Sequence, residues 1–340
     1  MNKRVLGADL LLLLTAAVWG FGFVAQRSGM QYVGPFAFNG IRFLLGSLSL
    51  LPLIAWQSRR RQGAGGETKT AAGKTLFRSS FLAGTCLFVA VTLQQLGIMF
   101  TTAGNAGFIT GLYVIFTPIF GIFLGRKTGK ATWFGAFLTL IGLYFLSSGG
   151  PQGKANPGDI IIAVSAVFWA FHVLIIDRLV QKTDPLHLSA GQFAFAGFYA
   201  LIAAFLAEPF LLNSLVPLLE KMDPAFLSSG LFAWKSFPAL LNGLSSGAVP
   251  LSIVSSAVIP ILYGGIGSVG IGYTLQVVAQ QDAPPAHATI ILCLEGSFAA
   301  LGGILLLHEP VGVKTVIGFV LMFAGMLVSQ WELIAGHNRK

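Results

Sequence analysis

Two ionisable residues stand where an apolar chain tolerates them least: Glu295 in the run LCLEGSF and Arg42 in the run NGIRFLL. A charged side chain at membrane depth costs about 2.5 to 3.5 kcal/mol on insertion scales, so such residues are candidates for function by default. A carboxylate there can take up a proton or bind a substrate ammonium, and a guanidinium can hold a carboxylate through two parallel hydrogen bonds. The two charges can equally pair with each other across the interior. For Arg42 a fixed structural role stands beside a substrate role; for Glu295 the functional reading is favoured.

Weaker candidates surround them. Trp19 and Trp169 fall at matching places in two similar segments, away from the interfacial belts where tryptophan collects, and either line a cavity or pack the repeat. Gln94 and Gln276 also match, and a glutamine in a span needs a partner, either a substrate or a neighbouring helix. Tyr113 aligns with Glu295 and is expected to face the same space. His172 is a candidate proton relay, with an ordinary interhelical bond as the plainer reading.

Other chemistries lack their residues. The five histidines, at 172, 187, 287, 308 and 337, are scattered without HExxH-like spacing, and Cys86 and Cys293 lie alone in apolar segments, so neither a metal site nor a disulfide is expected. No GxxxxGK[ST] phosphate loop occurs, which disfavours direct ATP-driven pumping, and no cofactor is expected. Without paired carboxylates or a Ser/His pair at helical spacing, a membrane-embedded enzyme is the lesser alternative.

The elements that must position these residues are membrane spans. At 55% hydrophobic, 10% charged and mean hydropathy +0.78, the chain lacks the polar surface of a soluble domain. Its charge of +9 lies in short gaps between apolar runs, where membrane topology explains it better than nucleic-acid binding. Spans are predicted at 7–26, 35–55, 80–100, 104–124, 131–148, 160–179, 187–207, 254–278, 285–307 and 313–333. The first is not read as a signal peptide, because it recurs inside the chain.

That recurrence is a duplication. Residues 9–43 overlay 159–193 without a gap, matching Asp9 with Asp159, Trp19 with Trp169, Gln31 with Gln181 and Phe43 with Phe193. Thr92-Leu93-Gln94 matches Thr274-Leu275-Gln276, and Gly135 and Gly142 match Gly318 and Gly325. The expected fold is therefore an all-α integral membrane protein of about ten transmembrane helices in two five-helix repeats, residues 1–150 and 151–340. With the amino terminus inside, 15 of the 21 Lys and Arg fall on the cytoplasmic side, which places both termini in the cytoplasm. An odd number of spans per half then inverts the second repeat relative to the first.

Two loops depart from the pattern. Residues 57–78 read as a flexible basic cytoplasmic linker, and 208–252 as an extracytoplasmic insertion of interfacial helices, either a passive surface element or a lid.

The runs AVWGFGFVAQR, Arg42-Phe43, TTAGNAGFITGLYVIFTPIFGIFLG and LEGSFAALGGILLLHEPVGVKTVIGFVLMFAGMLVS resemble the drug/metabolite transporter superfamily in its EamA-type branch. The resemblance implies a ten-helix permease of the cytoplasmic membrane with a central cavity, moving small organic metabolites, often outward. Members commonly carry an acid at the end of the fourth and ninth spans; Glu309 fits in the second half, whereas Arg126-Lys127 stands in the first. The partners expected are a small-molecule metabolite and membrane lipids, with no nucleic acid. A flippase for lipids or lipid-linked precursors shares the same bundle.

Overall fold

The computed structural model describes residues 3–30, 32–63, 73–100, 103–147, 157–210, 251–307 and 312–337. Every regular element among them is helical. The first half consists of α1 (Lys3–Gly29), α2 (Pro35–Gly63), α3 (Gly73–Ile98), α4 (Ala103–Thr110), α5 (Tyr113–Phe123) and α6 (Lys130–Ser147). The second consists of α7 (Pro157–Leu179), α8 (Pro185–Leu206), α9 (Leu251–Leu262), a π-helical segment (Tyr263–Tyr273), α10 (Thr274–Ala279), α11 (Pro285–Leu292), α12 (Glu295–Leu307) and α13 (Val313–His337).

Among the described residues eight stretches are long and apolar enough to cross a membrane, and Lys130–Phe145 and Val316–Ser329 are shorter apolar helices. They correspond to the expected spans. Their outward faces expose Leu10, Leu14, Phe134, Phe137, Ile160 and Phe198, an apolar surface that hydrocarbon solvates and water does not. The protein is an integral membrane protein.

Three spans expected to be continuous are interrupted. The fourth breaks at Gly111-Leu112 between α4 and α5, and the ninth at Cys293-Leu294 between α11 and α12. These are equivalent places in the repeat, one residue before Tyr113 and Glu295. The breaks touch: Cys293 Sγ donates to the Gly111 carbonyl at 3.2 Å, which also accepts from Val114 N at 3.0 Å. Irregular backbone at this depth is tolerated only where protein or a cavity satisfies it. Apolar periodicity runs straight through both breaks, which is why hydropathy alone reads them as continuous.

The eighth span widens into the π segment YGGIGSVGIGY. Five glycines in eleven residues give it little side-chain packing and low helix propensity. The neighbouring helix α1 takes up its carbonyls, with Trp19 Nε1 donating to Ser268 O at 3.2 Å and Thr15 Oγ1 to Gly272 O at 3.2 Å. Tyr263 Oη returns a bond to Val18 O at 2.8 Å.

The basic linker is shorter than expected, since α2 runs on to Gly63 and α3 starts at Gly73; residues 64–72 lie outside the described residues. So do 211–250 of the insertion, together with Gln31, Lys154 and Glu309.

The helices pack α2 on α8, α3 on α7 and α8, α1 on α12, and α6 on α13. The last pair meets through glycines: a Cβ on Gly135 would lie 2.6 Å from the Gly325 carbonyl, and one on Gly142 would lie 2.8 Å from the Gly318 carbonyl. Since 135 meets 325 while 142 meets 318, the two helices run antiparallel. Gly142→Val is expected to lower the thermal unfolding midpoint in detergent, because overpacking against backbone costs about 1 to 3 kcal/mol. Gly7→Ala, at a position with open space, serves as the neutral control. Equal midpoints for the two variants would refute close backbone packing.

Candidate functional site

Where the two breaks meet, the helices enclose a small cavity with about 20 Å³ of free room. Tyr113 opens α5 and Glu295 opens α12, so both project from the first turn of a half-helix. The continuous span expected over 285–307 would put Glu295 in a helix interior; it instead occupies a helix start, where the helix dipole favours a carboxylate. Tyr113 Oη donates to Glu295 Oε1 at 3.3 Å, so the two equivalent positions of the repeat meet directly.

Arg42 of α2 lines the same cavity and is 1% exposed. Its Nε donates to Asn39 Oδ1 at 2.9 Å, and its guanidinium carbon lies 5.6 Å and 5.0 Å from the ring centres of Phe38 and Phe43. Asn39 is in turn held by the Val91 carbonyl at 3.4 Å. Arg42 and Glu295 do not pair, and among the described residues no carboxylate forms an ion pair with Arg42; its Nη2 is buried without a hydrogen-bond partner. Tyr273, at the end of the π segment, lines the same cavity as both charges.

Aromatic rings make the wall between them. Trp19 and Trp169 have ring centres 6.3 Å apart, and Tyr273 lies 4.4 Å from Trp19 and 5.9 Å from Trp169, nearly parallel to the latter. Trp19 Nε1 is used by the Ser268 carbonyl, whereas Trp169 Nε1 is buried without a partner.

Gln94 and Gln276 both line the cavity. Gln94 Nε2 bonds Thr110 Oγ1 across α3 and α4 at 3.0 Å, and Gln276 Nε2 bonds Gln280 Oε1 at 2.9 Å, leaving Gln276 Oε1 unpartnered. His172 is not in the lining. It is fully buried behind Trp169 and Tyr273, with Nε2 2.9 Å from Gln192 Oε1.

Sequence reasoning missed Tyr273, Ser268, Gln26 and Thr110, which also line the cavity. The glycine run before Tyr273 was the available signal for the first two; nothing local marked the others. All the lining side chains are buried, so the cavity is closed to the lipid face.

A second cavity, of about 570 Å³, lies toward the α5–α6 turn. Thr117 lines it one helical turn beyond Tyr113, Leu174 lines it next to Val173, and His287 lines it ahead of Leu292 on α11. It is therefore a vestibule next to the central cavity. Arg126 on its rim pairs with Asp177, and Arg178 Nη2 donates to the Leu124 carbonyl at 3.4 Å, tying the turn to the end of α7.

The sequence matches the model of the EamA-like transporter family over residues 6–148 and 218–330. The chain belongs to that family. Among its relatives, an "Uncharacterized transporter" of Archaeoglobus fulgidus is 32% identical over 212 residues, 62% of each chain. A second protein of that name from the same organism is 22% identical over 333 residues, covering 97% of this chain and 98% of the other. The "Uncharacterized inner membrane transporter YedA" of Escherichia coli K12 is 26% identical over 192 residues, 56% of this chain and 59% of YedA. The first and third matches thus span less than two thirds of those relatives. A crystal structure with 17% identity superposes at a TM-score of 0.68, covering 98% of this chain and 99% of the other, and shares the fold. The family model is one of transporters, and all three of these relatives are named transporters.

Proposed function

We propose that this EamA-family protein is a secondary transporter that exports or exchanges small zwitterionic metabolites across the cytoplasmic membrane by alternating access. The observation that carries the reading is that Arg42 and Glu295 line one enclosed cavity without touching. A substrate carboxylate would meet the unpartnered Nη2 of Arg42, its ammonium would meet Glu295, and its apolar part would lie on the Trp19, Trp169 and Tyr273 rings. The cavity's buried lining favours a water-soluble metabolite over a lipid-linked one. That YedA is named an inner membrane transporter supports the same location for this chain.

Transport of a panel of amino acids, amines and carboxylic acids by reconstituted vesicles, with and without an imposed proton gradient, tests the proposal. Zwitterions are expected to move best; preference for a lipid-linked compound, or transport of none, would overturn the substrate reading.

Alternating access calls for two halves, 1–150 and 151–340, related by inversion. The glycine contacts support this, because exchanging 135 with 318 and 142 with 325 maps the α6–α13 contact onto itself while the equivalent helices run antiparallel. Reporter fusions after Ser79 and after Lys340 are expected to report cytoplasm, and one after Lys154 the opposite side. A carboxyl terminus found outside would rule the inverted arrangement out.

A further inference from the structure

We propose that Gln276 is a hydrogen-bond acceptor of fixed sense in the central cavity, held so by Gln280 outside it, and that the site accordingly selects substrates carrying an N–H or O–H donor at the end remote from their carboxylate. The proposal rests on the substrate reading of that cavity and adds a second end to it. Gln276 belongs to α10 and lines the cavity. Gln280, one turn on, is buried and is not in the lining. Its backbone N–H donates to the Gln276 carbonyl at 2.9 Å, which places the two side chains on one helical face.

The two ends of a glutamine amide are alike in shape and opposite in sense, so their order is set by the partners. Here the chain of partners ends on a backbone carbonyl. Gln280 lies 3.0 Å from the Val173 oxygen, which can only accept, so the atom facing it is Nε2. Gln280 Oε1 then points the other way, and it too only accepts. The Gln276 atom 2.9 Å from it is therefore Nε2. What remains is Gln276 Oε1, buried without a hydrogen-bond partner. No hydroxyl or imidazole enters the chain, so no mobile hydrogen can reverse it. The matching residue of the first half has no such lock: Gln94 is bonded to the Thr110 hydroxyl at 3.0 Å, which can give or take a hydrogen, so its amide is free to turn.

The place of Gln276 decides which end of a substrate it reads. It follows Tyr273 by one turn on the same side of the helix, and the Tyr273 ring centre lies 5.9 Å from that of Trp169. Val173, which anchors the relay, follows Trp169 by one turn of α7 and lines the cavity itself. Arg42 stands at the other end of the π segment, where a Cβ on Gly264 would lie 3.4 Å from its Cδ. A molecule with its carboxylate on Arg42 and its body along the rings turns its far end toward Gln276. An unpartnered acceptor there favours a donor and disfavours a group that only accepts. The free room of about 20 Å³ holds a single water, so a substrate enters only as the helices part. The relay lies behind the lining, between α7 and the end of α10, and sets the sense of Gln276 beforehand.

Counterflow into vesicles reconstituted with the full-length protein tests the proposal, with two sets of amino acids that differ only at the far end: norvaline, δ-hydroxynorvaline and δ-methoxynorvaline, and phenylalanine, tyrosine and O-methyltyrosine. The hydroxyl member is expected to bind about five- to tenfold tighter than the other two, the effect of one neutral hydrogen bond. Gln276→Leu is expected to level the set. Gln280→Met, at a residue outside the lining, is expected to free the Gln276 amide to turn and offer Nε2, so that the methoxy member gains on the hydroxyl member. A merely structural role for either glutamine lowers all members alike and leaves their ranking as in the parent. If Gln280→Met does not fold, the ranking in Gln276→Leu decides alone. Equal affinities within both sets in the parent, or a ranking unchanged in the variants, overturn this proposal and leave the zwitterion reading in place. Transport of none of these amino acids by the parent overturns both.

Discussion

Glu295→Gln is expected to abolish net transport driven by a proton gradient, by tenfold or more, while leaving expression and folding intact. Gln keeps the size of Glu and can still accept the hydrogen bond that Tyr113 Oη donates to Oε1 at 3.3 Å. What it loses is the ability to change charge. A carboxyl at the start of α12, directly after the break that joins the two repeats, is placed so that gaining or losing a proton alters how the half-helix end is neutralised. A ligand shifts a two-state equilibrium only by its differential affinity for the two states, and this holds for a proton. Tenfold corresponds to about 1.4 kcal/mol of lost coupling, a modest demand on a buried charge. Exchange of substrate without a gradient is expected to persist in the variant. Normal gradient-driven transport by Glu295→Gln at every pH tested would remove the proton role and leave the residue a polar contact.

The folding control separates this role from a structural one. Were Glu295 needed as an ion-pair partner of Arg42, Glu295→Gln would misfold and neutralising Arg42 would rescue it. The geometry argues against such a rescue, since no ion pair joins the two and Glu295 is served by Tyr113.

The parts of the site legible in the sequence are those that break a local rule. Arg42 and Glu295 stood out as charges in apolar runs, and both line the cavity. Trp19 with Trp169, and Gln94 with Gln276, stood out because duplication repeated them, and both pairs line it too. Tyr113 was found only through its alignment with Glu295. Hydropathy could not register the breaks, because Gly111-Leu112 and Cys293-Leu294 are apolar and their carbonyls stay bonded to backbone N–H groups a turn ahead, as Gly111 O is to Val114 N and Cys293 O to Gly296 N. For the same reason Glu295 was misplaced in a helix interior. The contact of His287 Nε2 with Asp9 Oδ1 at 2.8 Å was invisible for a different reason: 278 residues separate the two, and only the packing of α1 and α11 brings them together. His172, notable by type, lies outside the cavity, its Nε2 2.9 Å from Gln192 Oε1 on the neighbouring helix, the plainer of its two readings.

Arg42 is where stability and transport are expected to move in opposite directions. Its guanidinium is buried, bonded through Nε to Asn39 and seated against Phe38 and Phe43, with Nη2 unpartnered. Replacing a buried charge that has no acid beside it by an apolar side chain of similar length removes a desolvation cost, so Arg42→Met is expected to unfold at the same temperature as the parent or higher. The same change removes a charge-assisted hydrogen bond to the substrate carboxylate, worth about 1.5 to 3 kcal/mol, or roughly ten- to a hundredfold in apparent affinity. Arg42→Lys keeps the charge but not the planar fork, and is expected to fall between parent and Met. The decisive comparison is between zwitterions and amines of the same side chain: the zwitterion should lose its advantage in Arg42→Met, while the amine, with no carboxylate to offer, should be transported as before. Equal losses for both substrates together with a lowered unfolding temperature would make Arg42 a structural anchor. A stable variant that has lost only the zwitterion would identify the residue that reads the substrate's negative end.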